Sequence, residues 1–115
     1  MSMLSDVQTI LAPLNVPVET GAFSEPSPDE FIVVTPLYEQ FEEFADNKPL
    51  IDVGEVRISI FSKGNYQRLK YLITAAFVEA DFTVTERRYI GYEADTGYHH
   101  YEIDVANYYE YETEE

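Results

Sequence analysis

The sequence predicts an α+β fold: a mostly antiparallel sheet of about four strands with two helices packed on one of its faces. Three patterns carry the expectation. In Val56-Arg57-Ile58-Ser59-Ile60 apolar and polar residues alternate, which is the period of a half-buried strand. From Tyr66 the period changes, and Tyr66, Leu69, Leu72/Ile73, Ala76/Phe77 and Ala80 recur at helical spacing. Between the two lies the polar connector Ser62-Lys63-Gly64-Asn65, whose Asn65 is placed to cap the helix. Strand character returns in Phe82 to Tyr92 and in Tyr98 to Tyr111, joined by a turn at Ala94-Asp95-Thr96-Gly97.

Taken in order, residues 3–12 predict a helix with the apolar stripe Leu4, Val7, Ile10 and Leu11. Pro13 stops it, because the residue before a proline disfavours the helical region, and Leu14 leaves room for a last distorted turn. Val16 to Glu19 reads as a short strand. Gly21 to Glu30 is a proline-broken loop. Phe31 to Thr35 is a mostly apolar, β-branched run and reads as a buried strand that Pro36 ends, or marks as an edge or bulge. Glu39 to Pro49 is ambiguous: Phe41 and Phe44 are spaced for one helical turn, yet the segment also fits a projecting loop or hairpin tip. The latter is preferred, as a loop too long for a tight turn. Ile51 to Phe61 is a strand and Asn65 to Ala80 the main helix. Leu69, Leu72, Ile73 and Ala76 are expected to be buried against Ile58, Ile60, Ile103 and Val105. Glu112 to Glu115 reads as a frayed end.

With 115 residues the chain is read as one domain, 1–115. It has no cysteine, which excludes disulfides and makes an intracellular setting the simpler expectation. No lysine or arginine precedes Lys48, so neither a signal nor a transit peptide is expected, and no apolar run is long enough to cross a bilayer. The formal charge of −15 opposes binding to DNA phosphate and to anionic membrane. All seven basic residues lie between Lys48 and Arg88. This asymmetry fits head-to-tail contacts between copies, and it fits equally an internal mixture of exposed pairs. Ten tyrosines fit an interface, and they also fit plain strand propensity.

The strand ending in Ser62-Lys63-Gly64-Asn65-Tyr66, the amphipathic helix, the Tyr92-Glu93-Ala94-Asp95-Thr96-Gly97-Tyr98-His99 segment and the terminal strand together resemble tail completion proteins. These are the tail terminator and tail-to-head joining proteins of long-tailed bacteriophages and prophages. The resemblance spans roughly Val53 to Tyr111. It implies a structural role in the virion, assembled in the host cytoplasm, as a homo-oligomeric and commonly hexameric ring around the DNA channel. It also implies the tail-tube protein and head connector proteins as partners. The alternative is a small acidic DNA mimic that inhibits a DNA-binding protein.

No constellation for catalysis stands out. Asp95-Thr96-Gly97 matches the aspartic-protease triplet but follows a polar turn instead of an apolar strand, and it reads as a turn. His99 and His100 point to opposite faces of a strand and cannot chelate one ion. The acids of residues 39–46 lack calcium-loop spacing, and Gly64 is not a phosphate loop. No enzyme activity, cofactor or metal is expected. The candidate functional residues are therefore interface residues. Phe41, Glu42, Glu43, Phe44 and Asp46 form a docking loop with aromatic anchors in an acidic rim. Arg87, Arg88, Tyr108 and Tyr109 are candidate subunit contacts.

Overall fold

The computed structural model describes residues 3–21 and 28–110. Helix α1 (Met3–Leu11) runs into a single 3₁₀ turn, Ala12–Leu14, as the Pro13-Leu14 sequence anticipates. There follow β1 (Val18–Thr20), β2 (Glu30–Ala45), β3 (Lys48–Ser62), α2 (Tyr66–Glu79), β4 (Thr83–Glu93) and β5 (Tyr98–Glu110). The fold is α+β, with a five-stranded sheet in the order β1-β2-β3-β5-β4. The fifth strand is β1. It lies parallel to β2 with Val18 opposite Ile32, so the sheet is mixed, and it begins two residues later and ends one later than the Val16–Glu19 expectation. The other three pairings are antiparallel. Most of the Gly21–Glu30 loop, together with Tyr111 and the 112–115 end, lies outside the described residues.

Both helices cover one face of the sheet, and the core forms there. Val7, Leu11, Leu69, Ile73 and Phe77 meet Ile32, Val34, Ile58, Ile60, Ile103 and Val105, all without solvent exposure. Each such side chain contributes roughly 1.5–3 kcal/mol through removal from water. The stripe of α2 is narrower than expected. Leu69, Ile73 and Phe77 recur four apart and are buried, whereas Leu72 and Ala76 are only half-buried and Ala80 is exposed. Leu72 lies about a quarter turn off that stripe, since successive helical residues are ~100° apart. Asn65 caps α2: its side chain accepts a hydrogen bond from the Arg68 N–H at 3.2 Å. At the other end Asp81 takes a left-handed conformation (φ 66°), and the Phe82 N–H donates to the Phe77 carbonyl at 2.9 Å.

The second face carries no helix. At one end Phe31, Phe61 and Tyr98 form a small aromatic cluster, with Phe31 stacked on Phe61 at 4.7 Å. In its middle the Arg57 guanidinium donates two hydrogen bonds to Asp104, from Nε at 3.0 Å and from Nη2 at 3.1 Å. Arg57 is directly opposite Asp104 in the β3–β5 register, so the pair is a cross-strand pair. Glu102 joins it, 3.2 Å from Arg57 and 2.8 Å from Arg88.

Candidate functional site

The segment expected as a long loop is a β-hairpin arm. Strand β2 continues through Pro36 to Ala45, and β3 begins at Lys48, so only Asp46 and Asn47 turn. Both have positive φ, 52° and 64°, as a tight primed hairpin turn requires, and Asp and Asn are the non-glycine residues that tolerate it best. This corrects the expectation of a loop too long for a tight turn. Pairing with β3 overrides the poor strand propensity of the glutamates. Pro36 is absorbed by a bulge between Pro36 and Tyr38, next to the point where β1 stops covering β2. The arm stretches the molecule to 55 Å, against 25 and 23 Å in the other directions.

The register distributes the arm residues over two sides. Val34 and Val56 are on the helix side, so Glu39 (opposite Gly54) and Phe41 (opposite Asp52) project there. Tyr38 (opposite Glu55), Gln40 (opposite Val53) and Glu42 (opposite Ile51) project from the second face. Glu43 has φ 58° and breaks the alternation ahead of Phe44. Phe41 is 45% and Phe44 59% exposed. The root of the arm is held from the helix side. A Cβ on Gly54 would come within 2.9 Å of the Met3 Sδ, so the missing side chain gives α1 its seat on β3.

On the second face, where the arm leaves the sheet, a shallow groove of about 390 Å³ brings several expected residues together. Ile51, Val53 and Ala106 give it apolar lining, Tyr108 flanks it at 65% exposure, and Glu42 and Glu43 supply acid. The arrangement can accept an apolar side chain ringed by polar contacts, which is the anatomy of a small protein-docking site. Phe41 is on the opposite side and does not join it.

The four expected subunit-contact residues separate. Tyr108 is in the groove. Tyr109 is on the helix side, packed against the core, and its hydroxyl donates to the Asp6 carboxylate at 2.7 Å. Burial first, and then Asp6, push its ionisation well above the ordinary tyrosine range. Tyr109 is thus engaged within this chain, between α1 and β5. Arg88 is likewise engaged internally, 2.9 Å from Glu86 and 2.8 Å from Glu102. Arg87 is exposed on the edge strand β4. Asp95 is in the β4–β5 turn, where Gly97 has φ 83° and its N–H donates to the Glu93 carbonyl at 2.7 Å. His99 shares a hydrogen bond with the Tyr89 hydroxyl at 3.0 Å, while His100 stacks on Phe61 on the other face at 4.2 Å. Among the described residues no group of three or more His, Cys, Asp or Glu side chains is placed to hold a metal ion. Among them no helix is long and apolar enough to cross a membrane.

The sequence reading missed three features. The ion network of Arg57, Asp104, Glu102 and Arg88 depends on a register that joins distant positions. The exposed apolar run on β4, Tyr89-Ile90 with Tyr92, had its signal in the Tyr/Ile content of Phe82–Tyr92. The outer edge of the arm, without a strand partner among the described residues, follows from sheet order alone. No protein-family model matches the chain, and no curated protein is significantly similar to it.

Proposed function

We propose that this chain is a tail completion protein of a long-tailed phage or prophage. In this reading it is a structural subunit that closes the tail tube as a ring, with six copies as the expected number, and meets the head connector. The observation that carries the reading is the hairpin arm. A small sheet backed by two helices extends a long, acidic, aromatic-bearing hairpin well beyond its own core. Such an arm adds little to the core of the chain that bears it, and it suits gripping a neighbour in an assembly. The resemblance from Val53 to Tyr111 supports the same reading and falls on β3, α2, β4 and β5. The charge of −15 adds a physical reason: a ring that DNA must traverse gains from repelling phosphate.

The test is deletion of the coding sequence from the phage or prophage that carries it, followed by electron microscopy of the lysate. Separate filled heads and free tails are expected, with virions restored by the wild-type chain supplied in trans. Restoration is expected to fail with the double variant Phe41→Ser, Phe44→Ser at an unchanged melting temperature. Normal virions from the deletion strain would overturn the proposal.

A further inference from the structure

Two strand edges in this molecule lack a partner among the described residues. One is the outer edge of β2 beyond Pro36. The parallel strand β1 covers β2 only as far as Val34, where Gly21 N–H donates to the Val34 carbonyl at 2.9 Å. The other is the outer edge of β4, which terminates the sheet on the opposite side. Such edges are templates for pairing with another chain.

Each edge is regular over a short stretch only. On β2 it runs from Tyr38, after the bulge, to Glu42, before the positive φ of Glu43. On β4 it lies between two bulges, from Glu86 to Tyr89. The two stretches are close in length, five residues against four, and differ in charge. Tyr38–Glu42 contains two acids and no base. In Glu86–Tyr89 the acid is already held by Arg88, leaving Arg87 with no ion pair among the described residues.

We infer that the Tyr38–Glu42 edge of one copy pairs with the Glu86–Tyr89 edge of a second copy, so that the sheet continues from subunit to subunit. Pairing of β2 with β2 would bring Glu39 and Glu42 of both copies together, and like charges across strands are destabilising. Pairing of β2 with β4 sets acid against Arg87. The faces also agree. Glu39 and Phe41 project on the helix side of the arm, and Arg87 and Tyr89, opposite Ile103 and Tyr101, project on the helix side of β4. A continued sheet therefore places a carboxylate and a phenyl ring alongside a guanidinium and a phenol. The contact is heterologous, so it propagates head to tail and closes as a ring or extends as a filament. It rests on the assembly reading above and names the surface through which that assembly forms.

Sedimentation velocity of the full chain at low ionic strength tests it. Reversible association that weakens with added salt is expected. Arg87→Glu and Glu39→Arg should each weaken it by about tenfold or more, and an equimolar mixture of the two variants should associate as the wild type does. Arg68→Glu, on the exposed side of α2, should leave it unchanged. Circular dichroism melting checks that each variant folds. The inference is overturned by a wild-type chain that stays monomeric throughout, by single variants that associate normally, or by folded variants that fail to recover on mixing. Such a failure, with separate heads and tails still seen in the deletion strain, removes this contact and leaves the virion role. Recovery by charge exchange, with normal virions from that strain, does the reverse.

Discussion

Replacing Asp104 with asparagine removes one charge from the centre of the second sheet face and keeps the shape. The Asp104 side chain is 6% exposed and Arg57 is 29% exposed. Arg57 makes both of its short hydrogen bonds to Asp104, and its protonated form is favoured first by that hydrogen bonding and then by the neighbouring carboxylates. Removing one member of a fully buried pair costs about 3–5 kcal/mol. Here the loss is smaller, because Arg57 is partly solvated and keeps Glu102 at 3.2 Å. About 2–3 kcal/mol is the expected cost, which for a domain of this size is a fall in Tm on the order of 10 °C. Arg57→Met should cost a similar amount. The double variant Arg57→Met, Asp104→Leu should recover most of the loss, since a buried pair exchanged for apolar residues of like volume is close to neutral. Urea titrations of the wild type, Arg57→Met, Asp104→Leu and the double variant give the coupling energy, expected above ~1.5 kcal/mol. Arg88→Met is the internal control: Arg88 is 37% exposed and should cost under about 1 kcal/mol. Additive losses in the cycle, or an Arg88 variant as damaging as the Asp104 one, would refute the reasoning.

Two further outcomes follow from the same structure. Ile73 is fully buried and Leu72 half-buried, so Ile73→Ala should cost roughly 2–4 kcal/mol and Leu72→Ala about half as much or less in urea unfolding; equal losses would place the helix stripe wrongly. Burial, the largest influence, lowers the pKa of His100 below the ordinary 6.5, against the opposing pull of Glu102 and Glu93 and with the help of Arg57. With the folded value depressed, the unfolded chain takes up the proton first. Stability is then full above about pH 6.5 and is lost as the pH falls through the lower folded value. His100→Gln should flatten the dependence of the urea midpoint below about pH 6.5, and an unchanged slope there would contradict the burial argument.

The elements legible in the sequence were those whose own residues carry the period. Strand β3, helix α2 with its Asn65 cap, the Asp95 turn and β5 all have local patterns strong enough to place them. The arm was less legible because its two halves differ. Ile51 and Val53 on β3 read as strand, but Glu39-Gln40-Phe41-Glu42-Glu43-Phe44 has no β-branched residue and an aromatic spacing of three. Only pairing to β3 makes it extended. The internal contact of Tyr109 was illegible for a related reason. Alternation correctly put it on the side of Ile103 and Val105, but nothing local says that α1 brings Asp6 to its hydroxyl from the other end of the chain.

The crowding of basic residues between Lys48 and Arg88 admitted two readings, head-to-tail contact and internal pairing, and several of these residues are paired internally. Arg57 and Arg88 are committed to Asp104, Glu102 and Glu86 on the second face. Lys63 lies 3.9 Å from Asp29 and over the Tyr98 ring, and Lys70 lies over the ring of Tyr101. Of these contacts, those of Arg57 and Arg88 neutralise the little-exposed carboxylates Asp104 and Glu102, where an unpaired charge is most costly. Arg87 is different. It is on an edge strand, exposed, with an uncharged isoleucine opposite it in the register. An edge strand gains little stability from a guanidinium there, while an acidic edge from a neighbour gains a complementary partner. On a chain of charge −15, where mutual repulsion is the default between copies, the edge pairing inferred above rests on such a cation meeting an acidic edge.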